Sequence, residues 1–219
     1  MLDLRGTDFS GKTLKNVDFS GSNLNGVSFK EATLKNCLFA ECKMADINFE
    51  NSYIINTDFL TSEILDVKFQ ESFIENSKFI TQLYYTDFTG AKLKNVNFFD
   101  ANMVEVNFSN SFLKGVEFEW VKVFTDVDFS NAKLKEGVSF LGTVLNKAIG
   151  IKAFTVYFAS FPVSYIPELD KVFFTPARVI YSLEELFDFA DSRKDGNKKE
   201  LKAICDYFKK MKKINKKCK

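Results

Sequence analysis

The stretch TLKNVDFSGSNLNGVSFKEATLKNCLF, residues 13–39, sets an apolar residue at every fifth position. Leu14, Phe19, Leu24, Phe29, Leu34 and Phe39 also alternate in type. A helix does not explain the spacing, because five helical steps turn about 500° and scatter such residues around the axis. A strand fails as well, since five steps reverse the side-chain direction each time. The chain must instead turn once every five residues.

The register extends from Leu4 through Phe9, Phe49, Phe59, Phe69 and Phe79 without a miss. It slips back by one residue in FITQLYYTDF, resumes at Leu83, and slips forward in FEWVKVFTDVDF before Phe129 and again before Phe140. Two positions before the apolar members stands a small or β-branched residue, with Lys12 before Leu14 the one clear breach. Ser22, Ala32 and Cys42 precede aliphatic members, and Val17, Val27 and Thr57 precede Phe.

TDFSG, VDFSG, SNLNG, INFEN, TDFTG, VNFSN, VDFSN and ANMVE carry this pattern in full. It resembles the pentapeptide-repeat family over roughly residues 2–147. The resemblance implies an all-β solenoid: a right-handed quadrilateral parallel β-helix of about seven coils, with four pentapeptides per coil. At the usual strand spacing such a rod is about 35 Å long. Residues twenty apart then stack. Leu4, Leu24, Met44 and Ile64 form one aliphatic column, and Leu14, Leu34, Ile54 and Ile74 the opposite one. Phe9, Phe29, Phe49 and Phe69 face Phe19, Phe39, Phe59 and Phe79 as two aromatic ladders, so the phenylalanines are expected in the core.

The predicted organisation is a β-helix over 1–150, a cap and linker over 151–175, and a C-terminal helical hairpin with a basic tail over 176–219. Thr175-Pro176 reads as an N-cap with proline at the first helical position. RKDGN (193–197) reads as the turn between helices, and Asn197 with Glu200 as a capping box. In the second helix Leu201, Ile204, Cys205, Phe208, Met211 and Ile214 share one stripe. Its end, FKKMKKINKKCK, is polybasic and amphipathic, which suits contact with anionic lipid or nucleic acid, and acylation at Cys218.

The formal net charge of +1 conceals a split. Residues 1–150 hold 15 basic and 20 acidic side chains, and residues 151–219 hold 15 basic and 9 acidic. Assigned to faces, the rod has three acidic sides and one basic side. The candidate basic face carries Lys15, Lys35, Lys94, Lys114 and Lys135, together with Lys12, Lys92 and Lys133, against Glu75 and Glu136. Asn16, Asn36, Asn56, Asn76 and Asn95 stack beside them as an asparagine ladder.

Outward apolar residues form the candidate partner surface. Leu65, Tyr84, Val104 and Phe124 are expected to stack in one column, and Leu60, Ile80 and Phe99 in another, with Tyr85 and Trp120 at the two slips.

The chain contains no His, no phosphate-binding loop and no nucleophile signature, so no catalytic residue, metal or cofactor is expected. Cys37, Cys42, Cys205 and Cys218 lack metal-ligand spacing. No signal segment or membrane span is legible, and a cytoplasmic location is expected. The reading is a non-enzymatic protein-interaction scaffold with a protein partner. The resemblance implies an alternative, a DNA mimic that binds DNA gyrase or another topoisomerase, without direct nucleic-acid binding. A membrane-associated adaptor acting through the basic helix is a third expectation, and a homodimer through the C-terminal end a fourth.

Overall fold

Residues twenty apart pair directly in the computed structural model, which describes residues 2–145 and 147–217. Thr13, Leu14 and Lys15 lie in parallel register with Thr33, Leu34 and Lys35. The first such side is a seven-stranded parallel sheet built from Thr13–Lys15, Thr33–Lys35, Tyr53–Ile55, Phe73–Glu75, Lys92–Lys94, Phe112–Lys114 and Lys133–Leu134. The opposite side is a five-stranded parallel sheet of Lys43–Ala45, Glu63–Leu65, Gln82–Tyr84, Asn102–Val104 and Val123–Thr125. The two remaining sides are joined by single bridges, such as Asp8–Ser28 and Asp18–Leu38, apart from the short parallel pair of Val127–Asp128 with Ala148–Ile149. The molecule is thus a parallel β-solenoid of about seven turns followed by two C-terminal helices.

The first two register slips are absorbed at corners. Phe73 pairs with Lys92, one residue short of twenty, and Asn102 pairs with Val123, one residue over. The inward columns continue through both slips.

The phenylalanines fill the rod as two interlocked ladders. Rings within a ladder stack with centroids from 4.5 to 5.3 Å apart. Rings of facing ladders meet edge-to-face at 5.3 to 6.1 Å. Phe19, Phe29, Phe39, Phe49, Phe59, Phe69 and Phe79 are buried, while Phe9, in the first coil, is half-buried. The small residues two positions earlier also point inward. There the Cys42 thiol donates to the Phe19 carbonyl at 3.1 Å, and the Ser72 hydroxyl to the Phe69 carbonyl at 2.7 Å. A larger side chain at these sites would collide with the ladders.

Beyond the coils the structure departs from the expected linker and helix. Phe154–Phe158, Phe161–Ile166, Lys171–Phe174 and Val179–Ser182 form a four-stranded antiparallel sheet. Thr175-Pro176 begins a single 3-10 turn, and Val179 and Ile180 lie on a strand rather than in a helix. The first helix, α1, spans Leu183–Ser192 and is capped by Ser182. The Ser182 hydroxyl accepts from Glu185 N at 3.2 Å, and Glu185 accepts from Ser182 N. The second helix, α2, spans Asn197–Lys217, and Asp195 accepts from the Asn197 N–H at its start.

This sheet lies between rod and helices. Phe173 and Ile166 join the core of the coils, with Phe173 edge-on to Phe140 at 5.7 Å. Val163, Tyr165, Val172 and Phe174 face the other way and share a core with Leu183, Leu186, Leu201, Ile204, Cys205 and Phe208. The hairpin therefore docks on the sheet, and it is the sheet that meets Phe140 at the end of the rod. Asp170, in the turn before Lys171, ties the layers: it accepts from the buried Tyr165 hydroxyl at 3.1 Å and pairs with Lys212 of α2 at 2.7 Å.

The core and face assignments separate sharply in energy. Phe49→Ala opens a gap in a stacked ladder and is expected to cost about 3–5 kcal/mol, whereas exposed Lys35→Ala should cost under about 0.5 kcal/mol. Chemical denaturation of the two variants measures the contrast, and equal midpoints would contradict the arrangement.

Candidate functional site

Each strand of the five-stranded sheet is three residues long, and its middle residue faces the core. The flanking residues face outward and stack between coils by register. One outward column runs Leu65, Tyr84, Val104 and Thr125. Leu65 is 44% exposed, Tyr84 and Val104 are half-buried, and Tyr85 at the adjoining corner is 52% exposed. The structure therefore brings together Leu65, Tyr84, Tyr85 and Val104 as expected.

Phe124 does not belong with them. It pairs with Met103 and is buried, continuing the inward aliphatic column, and Thr125 takes the outward place. The extra residue of the second slip enters before Phe124, between Phe118 and Val123, so the inward register has already resumed there. Phe124 stacks against Phe129 at 6.0 Å as part of the core.

Trp120 is half-buried. The Phe161 ring meets it edge-on at 6.5 Å, and the Arg178 guanidinium lies 5.8 Å from its ring centroid. On the third side Gly142 approaches so closely that a Cβ would come within 2.7 Å of the indole. Trp120 thus seats the antiparallel sheet on the rod.

Leu60, Ile80 and Phe99 follow the bridged residues Asp58, Lys78 and Asn97, which places them in one column at the corner beside the five-stranded sheet. Leu60 and Ile80 are half-buried and Phe99 is 42% exposed. Between the two apolar columns run Glu63, Gln82 and Asn102. Val123, which sequence reasoning missed, extends the middle column with an exposed apolar side chain. Its position on a three-residue strand was the available signal, hidden by the misplaced slip.

The candidate basic face is the seven-stranded sheet. Lys15, Lys35, Lys94, Lys114 and Lys135 are all exposed. Their column is interrupted by Ile55 and Glu75, and Glu75 pairs with Lys94. Tyr53 and Phe73 stand in the neighbouring outward column with rings 6.1 Å apart, an aromatic pair within the lysine face. Beside them the asparagine ladder is formed, with Asn36 Nδ2 donating to Asn16 at 3.0 Å and Asn56 to Asn36 at 3.1 Å.

Several carboxylates of the acidic sides are engaged in turns. Asp8 accepts from Ser10 N at 2.8 Å and Asp18 from Ser20 N at 2.9 Å, and these hydrogen bonds hold both carboxyls below the usual range. Cys37, Cys42 and Cys205 are free and buried. Burial pushes all three thiols up, Cys205 to about 11, which makes them poor nucleophiles and poor metal ligands. Among the described residues no group of three or more His, Cys, Asp or Glu is placed to hold a metal ion. The apolar stripe of α2 is spent on packing as far as Phe208, since Leu201, Ile204, Cys205 and Phe208 are buried, while Tyr207 and Ile214 are exposed. No described helix is long and apolar enough to cross a membrane. Cys218 lies outside the described residues.

Two family matches cover the coils. The pentapeptide repeat region family matches residues 2–79, and the pentapeptide repeats family, in eight copies, matches residues 81–120. The chain belongs to the pentapeptide-repeat family. Among solved structures it is similar to a pentapeptide repeat protein from the Arabidopsis thaliana thylakoid lumen, at 27% identity and a TM-score of 0.40, over 47% of this chain and 68% of that one. It is also similar to QnrB1, a plasmid-mediated fluoroquinolone resistance protein, at 22% identity and a TM-score of 0.28, over 64% and 88%. HetL, involved in heterocyst differentiation regulation in the cyanobacterium Nostoc sp. strain PCC 7120, shows 15% identity and a TM-score of 0.26, over 68% and 86%. No curated protein matches the chain.

Two outcomes follow from these placements. Phe124→Ala should destabilise the protein by about 3 kcal/mol, while Thr125→Ala shifts the thermal midpoint little. In the native protein an alkylating reagent should leave Cys37, Cys42 and Cys205 unmodified, and mass spectrometry should find all three modified after denaturation.

Proposed function

We propose that this protein is a non-enzymatic scaffold that binds a protein partner through the five-stranded face of its rod. The observation that carries this reading is the set of large apolar side chains left outside a core that is already complete. Leu65, Tyr85 and Phe99 are each more than two-fifths exposed, whereas every inward position from Phe19 to Phe129 is filled. Burying such side chains favours association by about 25 cal/mol per Å² of apolar surface, and aromatic anchors often dominate interface energetics. The free thiols suit a reducing compartment, and we place the protein in the cytoplasm on that ground.

The alternative of duplex mimicry rests on the acidic sides. Against it stands the lysine column on the seven-stranded sheet. Against the membrane reading, α2 has buried its apolar face on the antiparallel sheet as far as Phe208, which leaves Ile214 exposed at the basic end.

The test is affinity capture from native lysate with the full chain and with a Leu65→Glu, Tyr85→Glu, Phe99→Glu variant. All three side chains are outward, so the variant should keep the parental thermal midpoint and lose its captured partner. Unchanged capture would remove the five-stranded face from consideration. Capture of a type II topoisomerase, insensitive to the three substitutions and steeply weakened by salt, would put duplex mimicry in its place.

A further inference from the structure

The seven-stranded sheet stops at Lys133–Leu134, which pairs on one side only, with Phe112–Leu113. In the coil below, the Leu113 carbonyl accepts from Lys135 N at 2.8 Å. The corresponding edge of Leu134 meets no further strand among the described residues, because the chain leaves the solenoid just before it would supply one. Ala148–Ile149 still pairs with Val127–Asp128, and the Phe129 N–H still donates to Ile149 O. At Gly150 the backbone crosses Ser130 so closely that a Cβ would come within 2.3 Å of its nitrogen. Four residues later the chain is in the antiparallel sheet, at Phe154.

The missing strand leaves a cleft. Two adjoining cavities of about 410 and 610 Å³ share Leu134, Lys135, Glu168 and Leu169 in their walls. Both volumes fall within the range of about 300–1,000 Å³ usual for ligand clefts. The floor is apolar, formed by Phe129, Leu134, Ile151 and Ile166. Lys133, Lys135, Lys152 and Lys171 line the walls against Glu136 and Glu168, so the cleft is positive on balance.

We propose that this cleft is a strand-addition site, which takes an extended peptide segment of another protein as the next strand of the seven-stranded sheet. Main-chain hydrogen bonds to the Leu134 edge would hold it, and alternate side chains would point to the floor and to the lysines. The chemistry of the occupant follows: apolar residues alternating with Asp or Glu. This site lies at the junction of rod and antiparallel sheet, apart from the five-stranded face, and stands or falls independently of that surface.

The test uses the full chain and a short fluorescein-labelled peptide that alternates Glu with Val and Ile. Fluorescence anisotropy should show saturable binding. Reversing Lys133, Lys135 and Lys152 to Glu should weaken it about tenfold or more with an unchanged thermal midpoint. The milder Lys135→Gln should give a smaller loss, and the Leu65→Glu, Tyr85→Glu, Phe99→Glu variant should bind the peptide normally. The same peptide N-methylated at alternate amides should not bind, since it cannot complete the ladder. Equal affinity for the N-methylated peptide would reduce the contact to charge alone and overturn strand addition. Failure of the parent peptide to bind, or indifference to the lysine changes, would overturn it as well.

Discussion

The stacking of phenylalanine on phenylalanine through successive coils is the constraint from which the rest of the molecule follows. Parallel strands sit about 4.8 Å apart, close to the separation at which offset aromatic rings attract. Backbone ladder and ring ladder therefore demand the same rise, and each coil lands where both are satisfied. The edge-to-face contact between ladders adds a second requirement. With rings from two opposite sides meeting at 5.3 to 6.1 Å, the other two sides are filled mainly by the slimmer aliphatic side chains. The alternation of Phe with Leu, Ile or Met along the chain is the imprint of that cross-section.

A core held this way tolerates changes of length at its corners. The coil from Phe73 to Lys92 loses a residue and the coil from Asn102 to Val123 gains one, yet ring stacking continues from Phe79 to Phe98 and from Phe108 to Phe129. The corners where this happens are the places where the surface becomes distinctive. Tyr84 and Tyr85 follow the first slip, and Trp120 sits at the second. The repeat supplies a uniform exterior, and departures from it supply the shapes a partner can recognise.

The same physics explains what could be seen in advance. Inward positions were legible because a five-residue period with alternating Phe has one geometric solution. The misplacement of Phe124 came from a one-residue insertion whose position among Trp120, Val121 and Lys122 the spacing alone does not determine. The partial covering of Trp120 depends on Phe161 and Arg178, far along the chain, and left no local trace. The antiparallel sheet was illegible for a further reason. Val163, Ser164, Tyr165 and Ile166 are buried in succession because that strand has the rod on one face and α1 and α2 on the other. A strand covered on both faces loses the alternation that identifies strands and reads as a continuous apolar run. Val179 and Ile180, at helical spacing from Leu183, completed the false pattern.

The arrangement of lysines at the end of the seven-stranded sheet has a consequence for which strands it can accept. Unpaired edges invite association, and proteins commonly guard them with lysine. Lys133 and Lys135 flank Leu134 in this way, with Lys152 and Lys171 across the cleft. A second copy approaching with the same edge would bring the same lysines into opposition, and like charges directly across a strand pair are destabilising. The guard is therefore selective. It works against pairing between identical edges, and for a strand bearing carboxylates its sign reverses, because each lysine then gains a partner on docking. One set of side chains can thus keep the rod from growing on itself and admit an acidic strand, which makes the open edge compatible with a protein that remains discrete.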